Sequence, residues 1–177
     1  MNVNNYGHLL YKRGFLLTDI SNLKFLDDES EKVVAKWSII PIGSHFLYYD
    51  PCIQWGYAKL GEKMIVLLGL TINPFDLKFN SQSIVKKLLL LKTHSEDMFL
   101  DYLDELTGRF ILIVKDEAKI EIFPDACATR TIFYDFKSQN TVISSHATLI
   151  GNLMNYAISN EARYFLNHPN YANEPLK

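Results

Sequence analysis

Two cysteines, Cys52 and Cys127, are all that the 177 residues contain, and they lie far apart. That excludes the disulfide framework of a small stapled domain. No Cys-x-x-Cys pair occurs, and the five histidines (His8, His45, His94, His146, His168) show no metal-ligand spacing, so no metal site is expected. Long apolar runs are also missing. The run Met64–Leu70 is far too short to span a bilayer. The opening stretch MNVNNYGHLLYKRGF carries no apolar core of a signal peptide. No basic block stands out, and 18 Lys+Arg against 20 Asp+Glu leave a net charge of -2. That offers no electrostatic footprint for nucleic acid or an anionic membrane. Internal repeats and low-complexity segments are absent. The expectation is a soluble, cytoplasmic, globular domain with neither nucleic acid nor membrane as partner.

What is present is apolar and aromatic: 48% hydrophobic and 13% aromatic residues argue against disorder. The length suits one domain with a genuine core. GFLLT (14–18) reads as a strand, followed by DDESEK as a solvated acidic loop. VVAKWSIIPI and SHFLYYD read as strands broken by Pro41-Ile-Gly43. The run KMIVLLGL (63–70) suits a strand covered on both faces.

The period then changes. Ser81 can cap a helix whose broad apolar face holds Ile84, Val85, Leu88 and Leu89 or Leu91. Ser95 opens a second helix, with Glu96 and Asp97 in its first turn and Gly108 placed as its stop. After Gly108 the pattern returns to strand: RFILIV, KIEIF, TRTIFYDF and TVISS, joined by short turns, read as an antiparallel meander. Ser144 or Ser145 can cap a further helix through Ala147, Ile150 and Leu153, and NEARYFLN is helical too. Strands, two helices, a meander and then helix imply an α+β layered domain, with sheets packed on each other and helices outside.

The succession LDELTGRFILIVKDEAKIEIFPDACATRTIFYDF…VISSHATLI resembles the later half of the glutaminase domain of asparagine synthetases, which belong to the class II glutamine amidotransferases. Leu106, Gly108, Phe110, Asp125, Arg130, Phe133, Tyr134, Ser144 and Ser145 fit that pattern, and Ala128 stands where the family usually has glycine. Upstream, VLLGLTINPFDL is similar to the family segment whose core reads Asn-Gly-Glu-Ile-Tyr-Asn, with Gly69, Ile72 or Thr71, and Asn73 as remnants. The resemblance covers residues 60–155; the first 60 match only in strand pattern. It implies a four-layer αββα Ntn-hydrolase fold, two stacked antiparallel sheets flanked by helices. Residues 1–158 would form this glutaminase-like domain. Residues 159–177 would be a tail or the start of a linker to a synthetase domain not present in this chain.

The departures from the family concern its chemistry. The resemblance implies a cysteine nucleophile directly after the initiator methionine, with its free α-amine as general base. Asn2 occupies that position, and an amide neither attacks nor exposes such an amine. The family's asparagine before the glycine would donate to the tetrahedral oxyanion, an interaction worth about 3–4 kcal/mol of barrier. Leu68 stands there. The expected function is therefore a catalytically silent glutamine-amidotransferase-like domain, the structural or regulatory N-terminal part of an asparagine-synthetase-like protein. No catalytic residue and no cofactor are expected in this domain, and no phosphate-cradling Ser-Gly-Gly-x-Asp-Ser stretch occurs. The partner would be a synthetase-like domain in cis or in trans, and a homodimer is left open.

The alternative is an active Ntn-type amidohydrolase whose internal nucleophile, Thr18 or Cys52, is exposed by processing. If a vestigial pocket persists, Gly69, Thr71 and Asn73 would border it. Asp125 and Arg130 read as a pair holding a structural corner. Cys127 reads as a small, mostly buried turn residue rather than a nucleophile. The aromatic cluster Tyr48, Tyr49, Trp55 and Tyr57 reads as core or interface packing.

Overall fold

The computed structural model describes residues 10–168, apart from 77, 79 and 118. Its elements run β1 (Phe15–Thr18), α1 (Asp28–Val34), β2 (Ser38–Ile42), β3 (His45–Tyr49), β4 (Trp55–Leu60) and β5 (Lys63–Ile72). There follow α2 (Ser81–His94), α3 (Glu96–Asp104), β6 (Thr107–Asp116), β7 (Lys119–Pro124), β8 (Phe133–Tyr134), β9 (Val142–Ser144), α4 (Ala147–Leu153) and α5 (Asn160–Leu166). The strands form two antiparallel sheets: a five-stranded one in the order β2-β3-β1-β9-β8 and a four-stranded one in the order β4-β5-β6-β7. The α+β class is as expected.

Side-chain alternation sorts the apolar residues into three cores. Phe15, Leu17, Ile42, Leu47 and Tyr49 of the first sheet meet Met64, Val66, Leu68, Ile111 and Ile113 of the second. On the other face of the second sheet, Ile65, Leu67, Phe110, Leu112 and Val114 pack on Ile84, Val85 and Leu88 of α2 and Phe99 and Leu103 of α3. On the other face of the first sheet, Leu16 and Val142 pack with Val34 of α1 and Leu149 and Ile150 of α4. The two long central strands are thus covered on both sides. This is why β5 and β6 read as unbroken apolar runs rather than alternating ones.

Several local expectations are corrected. The acidic stretch is not a solvated loop but the start of α1. The Asp27 carboxylate accepts from the Ser30 amide (2.7 Å), and Asp28, Glu29 and Glu31 occupy the first turn. There the helix dipole favours negative charge. Asn80, rather than Ser81, caps α2 through Ser83 N–H (2.9 Å). Gly108 lies within β6 rather than at the end of α3, at φ +135°. Ser144 and Ser145 do not cap α4, whose N-cap position is His146.

The four-strand meander is also not continuous. β6 and β7 belong to the second sheet, while β8 and β9 belong to the first. The segment 125–132, containing Cys127, is therefore the crossing between sheets rather than a turn within one. The stretch 159–177, expected as a tail or linker, begins with α5, and 169–177 lie outside the described residues.

Candidate functional site: a cationic cavity at the head of β1

β1 is the middle strand of the first sheet, and the backbone that enters it is tightly held. Tyr11 and Arg13 both sit in the left-handed region (φ +54° and +55°), an uncommon conformation for side-chain-bearing residues. Between Arg13 and the strand stands Gly14, where a Cβ would lie 2.6 Å from the Tyr11 carbonyl oxygen and 3.1 Å from Ser145 Oγ. Only glycine fits so close an approach.

Arg13 N–H donates to Asp50 Oδ2 (2.5 Å), and Asp50 N–H returns a bond to the Gly14 carbonyl (3.0 Å). Phe15 N–H donates to Ser145 Oγ (2.9 Å), and Ser144 Oγ–H donates to the Phe15 carbonyl (2.8 Å). The two serines therefore spend their side chains tying β9 to β1, which explains why they cap no helix.

Next to this clamp opens a cavity of about 580 Å³. Leu70 and Arg109, cross-strand partners on β5 and β6, form part of its wall. Lys12 and Arg13 come from the entry to β1, Arg130 and Thr131 from the sheet crossing, and Ser145 and His146 from the end of β9. Leu68 and Ile111 lie two residues further along the same strand faces, so the cavity sits at the open end of the inter-sheet core.

The electrostatics are one-sided. Four cationic side chains line the space, and among the described residues no carboxylate forms an ion pair with Lys12, Arg13, Arg109 or Arg130. Arg130 is half-buried. Its Nη1–H donates to the Arg13 carbonyl (3.1 Å), while its Nε is buried without a partner. An unpaired buried donor costs about 1–3 kcal/mol. Burial lowers the Arg130 pKa, and the neighbouring Arg109 and Arg13 charges lower it further against the pull of Asp125. Burial pushes down the pKa of His146. Its Nδ1 lies 2.7 Å from Ser145 Oγ, and its ring packs edge-on against Tyr11.

The residues singled out from sequence fall in different places. Asn2 lies outside the described residues. Leu68 is fully buried in the inter-sheet core and offers no donor. Gly69, at φ +118°, does not line the cavity but backs two residues that do: a Cβ there would lie 2.2 Å from the Arg109 carbonyl oxygen and 3.0 Å from Arg130 Nε. Thr71 and Asn73 are buried but do not line the cavity. Asn73 Nδ2–H donates instead to the Tyr102 hydroxyl on α3 (3.3 Å).

Asp125 organises the corner. It accepts from Cys127 N–H (3.2 Å), Thr129 N–H (3.1 Å) and Thr129 Oγ1–H (2.8 Å), while the Arg130 side chain reaches towards β1. Asp125 also receives the Arg130 amide and draws on the Arg130 charge, so both residues belong to the corner expected of them.

The cysteine expectation is corrected too, because Cys127 is exposed; so is Cys52. Thr18 is fully buried at the end of β1, where its Oγ1 accepts from Ile20 N–H (3.2 Å). A cut before Thr18 would delete β1 from the middle of its sheet, and one before Cys52 would remove β1, β2 and β3. Either cut would remove the middle strand of the first sheet. Tyr49 and Trp55 meet at 5.7 Å between ring centroids, but Trp55 opens β4, a strand not anticipated from sequence.

The sequence reading missed Lys12, Arg13 and Arg109. They are remote along the chain and carry no motif; only the pairing of β1 with β9 and of β5 with β6 brings them together. Among the described residues no group of His, Cys, Asp and Glu side chains is placed to hold a metal ion, and no helix is long and apolar enough to cross a membrane. No protein-family model matches the chain, and no curated protein matches it.

Proposed function

We propose that this chain is a catalytically silent glutamine-amidotransferase-like domain. It would serve as the structural or regulatory N-terminal part of an asparagine-synthetase-like, ATP-dependent amide-forming protein. The observation that carries the reading is the sheet order: β1 runs between β3 and β9 in the middle of one of two face-packed antiparallel sheets. With α1 and α4 against one sheet and α2 and α3 against the other, the packing is in keeping with a four-layer αββα Ntn-hydrolase arrangement. Ala128 adds support. It stands where the resemblance has glycine, and its φ of +48° is the left-handed conformation for which glycine is the default residue.

The silence follows from the residues at the two positions that the resemblance makes catalytic, Asn2 for the nucleophile and Leu68 for the oxyanion donor. An N-terminal nucleophile needs a hydroxyl or thiol together with its own free α-amine. Asn2, which stands where the resemblance implies the cysteine, supplies neither hydroxyl nor thiol. The exposed apolar side chains Tyr134, Phe136 and Ile158 border one continuous groove near the last described helix. Such a patch suits contact with the synthetase half, in cis or in trans.

The test is ammonia release from glutamine by the full chain, which should not exceed the rate without protein. Steady release abolished by Thr18→Ala or Cys52→Ala would overturn the reading.

A further inference from the structure

We propose that the cavity at the head of β1 binds a small, multiply charged oxyanion of the pyrophosphate class, gripped by Arg109 and Arg130 with Lys12 and Arg13 beside them. The inference rests on the cavity itself and holds whether or not the family reading is right.

Four cations from three separate parts of the chain converge on one space, and among the described residues none has a carboxylate ion-pair partner. The nearby acids are already engaged elsewhere. Asp50 accepts from the Arg13 and Cys52 amides, and Asp125 from Cys127 and Thr129. Like charges gathered without an ion-pair partner repel one another, Asp125 offsetting Arg130 only in part, and an anion placed among them relieves that repulsion.

The geometry favours several charges on the ligand rather than one. A lone carboxylate would offset one cation of four, whereas pyrophosphate presents oxygens in several directions to forked guanidinium groups. The cavity volume, about 580 Å³, lies in the range of small-molecule sites. Thr131 and Ser145 add hydroxyl groups to the lining, although Thr131 Oγ1–H already donates to the Ser145 carbonyl (3.1 Å). A nucleic-acid strand is a poorer fit, because the chain as a whole is acidic at net -2 and its cations are gathered in one cavity.

The experiment is calorimetric titration of the full chain with sodium pyrophosphate at low salt, with inorganic phosphate and glutamine as comparison ligands. One-to-one pyrophosphate binding is expected, at least about tenfold tighter than inorganic phosphate and weakening as salt is raised. Arg109→Ala removes an exposed side chain and should leave folding intact, while Arg130→Lys keeps the charge but loses the fork. Each should weaken pyrophosphate at least about tenfold. Lys119→Ala, at the opposite end of the β6–β7 pair, should change nothing. No binding at millimolar pyrophosphate, equal affinity for inorganic phosphate, or wild-type affinity in both arginine variants would overturn the proposal. Glutamine hydrolysis would bear on the family reading and leave this one untouched.

Discussion

Ala128 sits at φ +48° on the exposed crossing between the sheets, its amide donating to the Asp125 carbonyl at 2.7 Å. For an L-residue the left-handed region costs roughly 1–2 kcal/mol. Glycine removes that strain but, being freer in the unfolded chain, returns about 0.5–1 kcal/mol of it. Ala128→Gly should therefore stabilise the protein by about 0.5–1 kcal/mol, because no Cβ contact is lost from an exposed position. In a chain of this size that raises Tm by about 1–4 °C.

The same chemical change two residues earlier supplies the control. Ala126 is not among the residues with positive φ, so Ala126→Gly should lower stability by about 0.5–1 kcal/mol. Urea titrations read both, and the midpoints should move in opposite directions while the slope m stays constant. If both variants lose stability equally, the left-handed conformation at Ala128 is wrong, and with it the argument linking that position to a family glycine.

Two further substitutions probe the corner and the core. The Asp125 carboxyl is pushed up by burial but held below the usual carboxylate range overall by bonds from Thr129, with Cys127 and Arg130 amides adding to them. A depressed folded pKa gives stability that is present above the unfolded value near 4 and is lost as pH falls. Asp125→Asn should thus lower stability at pH 7 by about 2 kcal/mol and flatten part of the acid limb, measured as ΔG of unfolding from pH 7 to 3. Asp27 and Asp135, also held low, keep the rest of that limb. Leu68 is fully buried between the sheets, so Leu68→Ala should cost about 2.7–5 kcal/mol by urea denaturation. Leu68→Asn, which places an amide where the resemblance implies an oxyanion donor, should cost at least as much and yield no glutamine hydrolysis.

How much of this was legible in the sequence depended on where each signal resides. The runs in β5 and β6 were readable because both faces are covered, and the α2 face at Ile84, Val85 and Leu88 because helical period and burial coincide. The α1 helix was not. Its seven residues bring few apolar positions, only Val33 and Val34, and its acids look like loop until Asp27 is seen capping them. β4 escaped because Gly56 interrupts a short edge strand of mixed character. β8, two residues long, carries too little pattern to reveal that TRTIFYDF enters a different sheet from KIEIF. The cavity was invisible for a deeper reason: Lys12, Arg13, Arg109 and Arg130 become neighbours only through pairing of distant strands. Arg130 alone was singled out beforehand, and for a structural role rather than for this cluster.

The central claim is that this two-sheet domain is not processed to expose a nucleophile and has none at its start, where Asn2 stands in place of the cysteine that the resemblance implies. Intact-mass spectrometry with N-terminal peptide mapping of protein made in cells tests it most directly. The account predicts that every folded species keeps the segment leading into β1, with Arg13 still in peptide linkage to Lys12. A folded species beginning at Thr18 or Cys52 that releases ammonia from glutamine would contradict it.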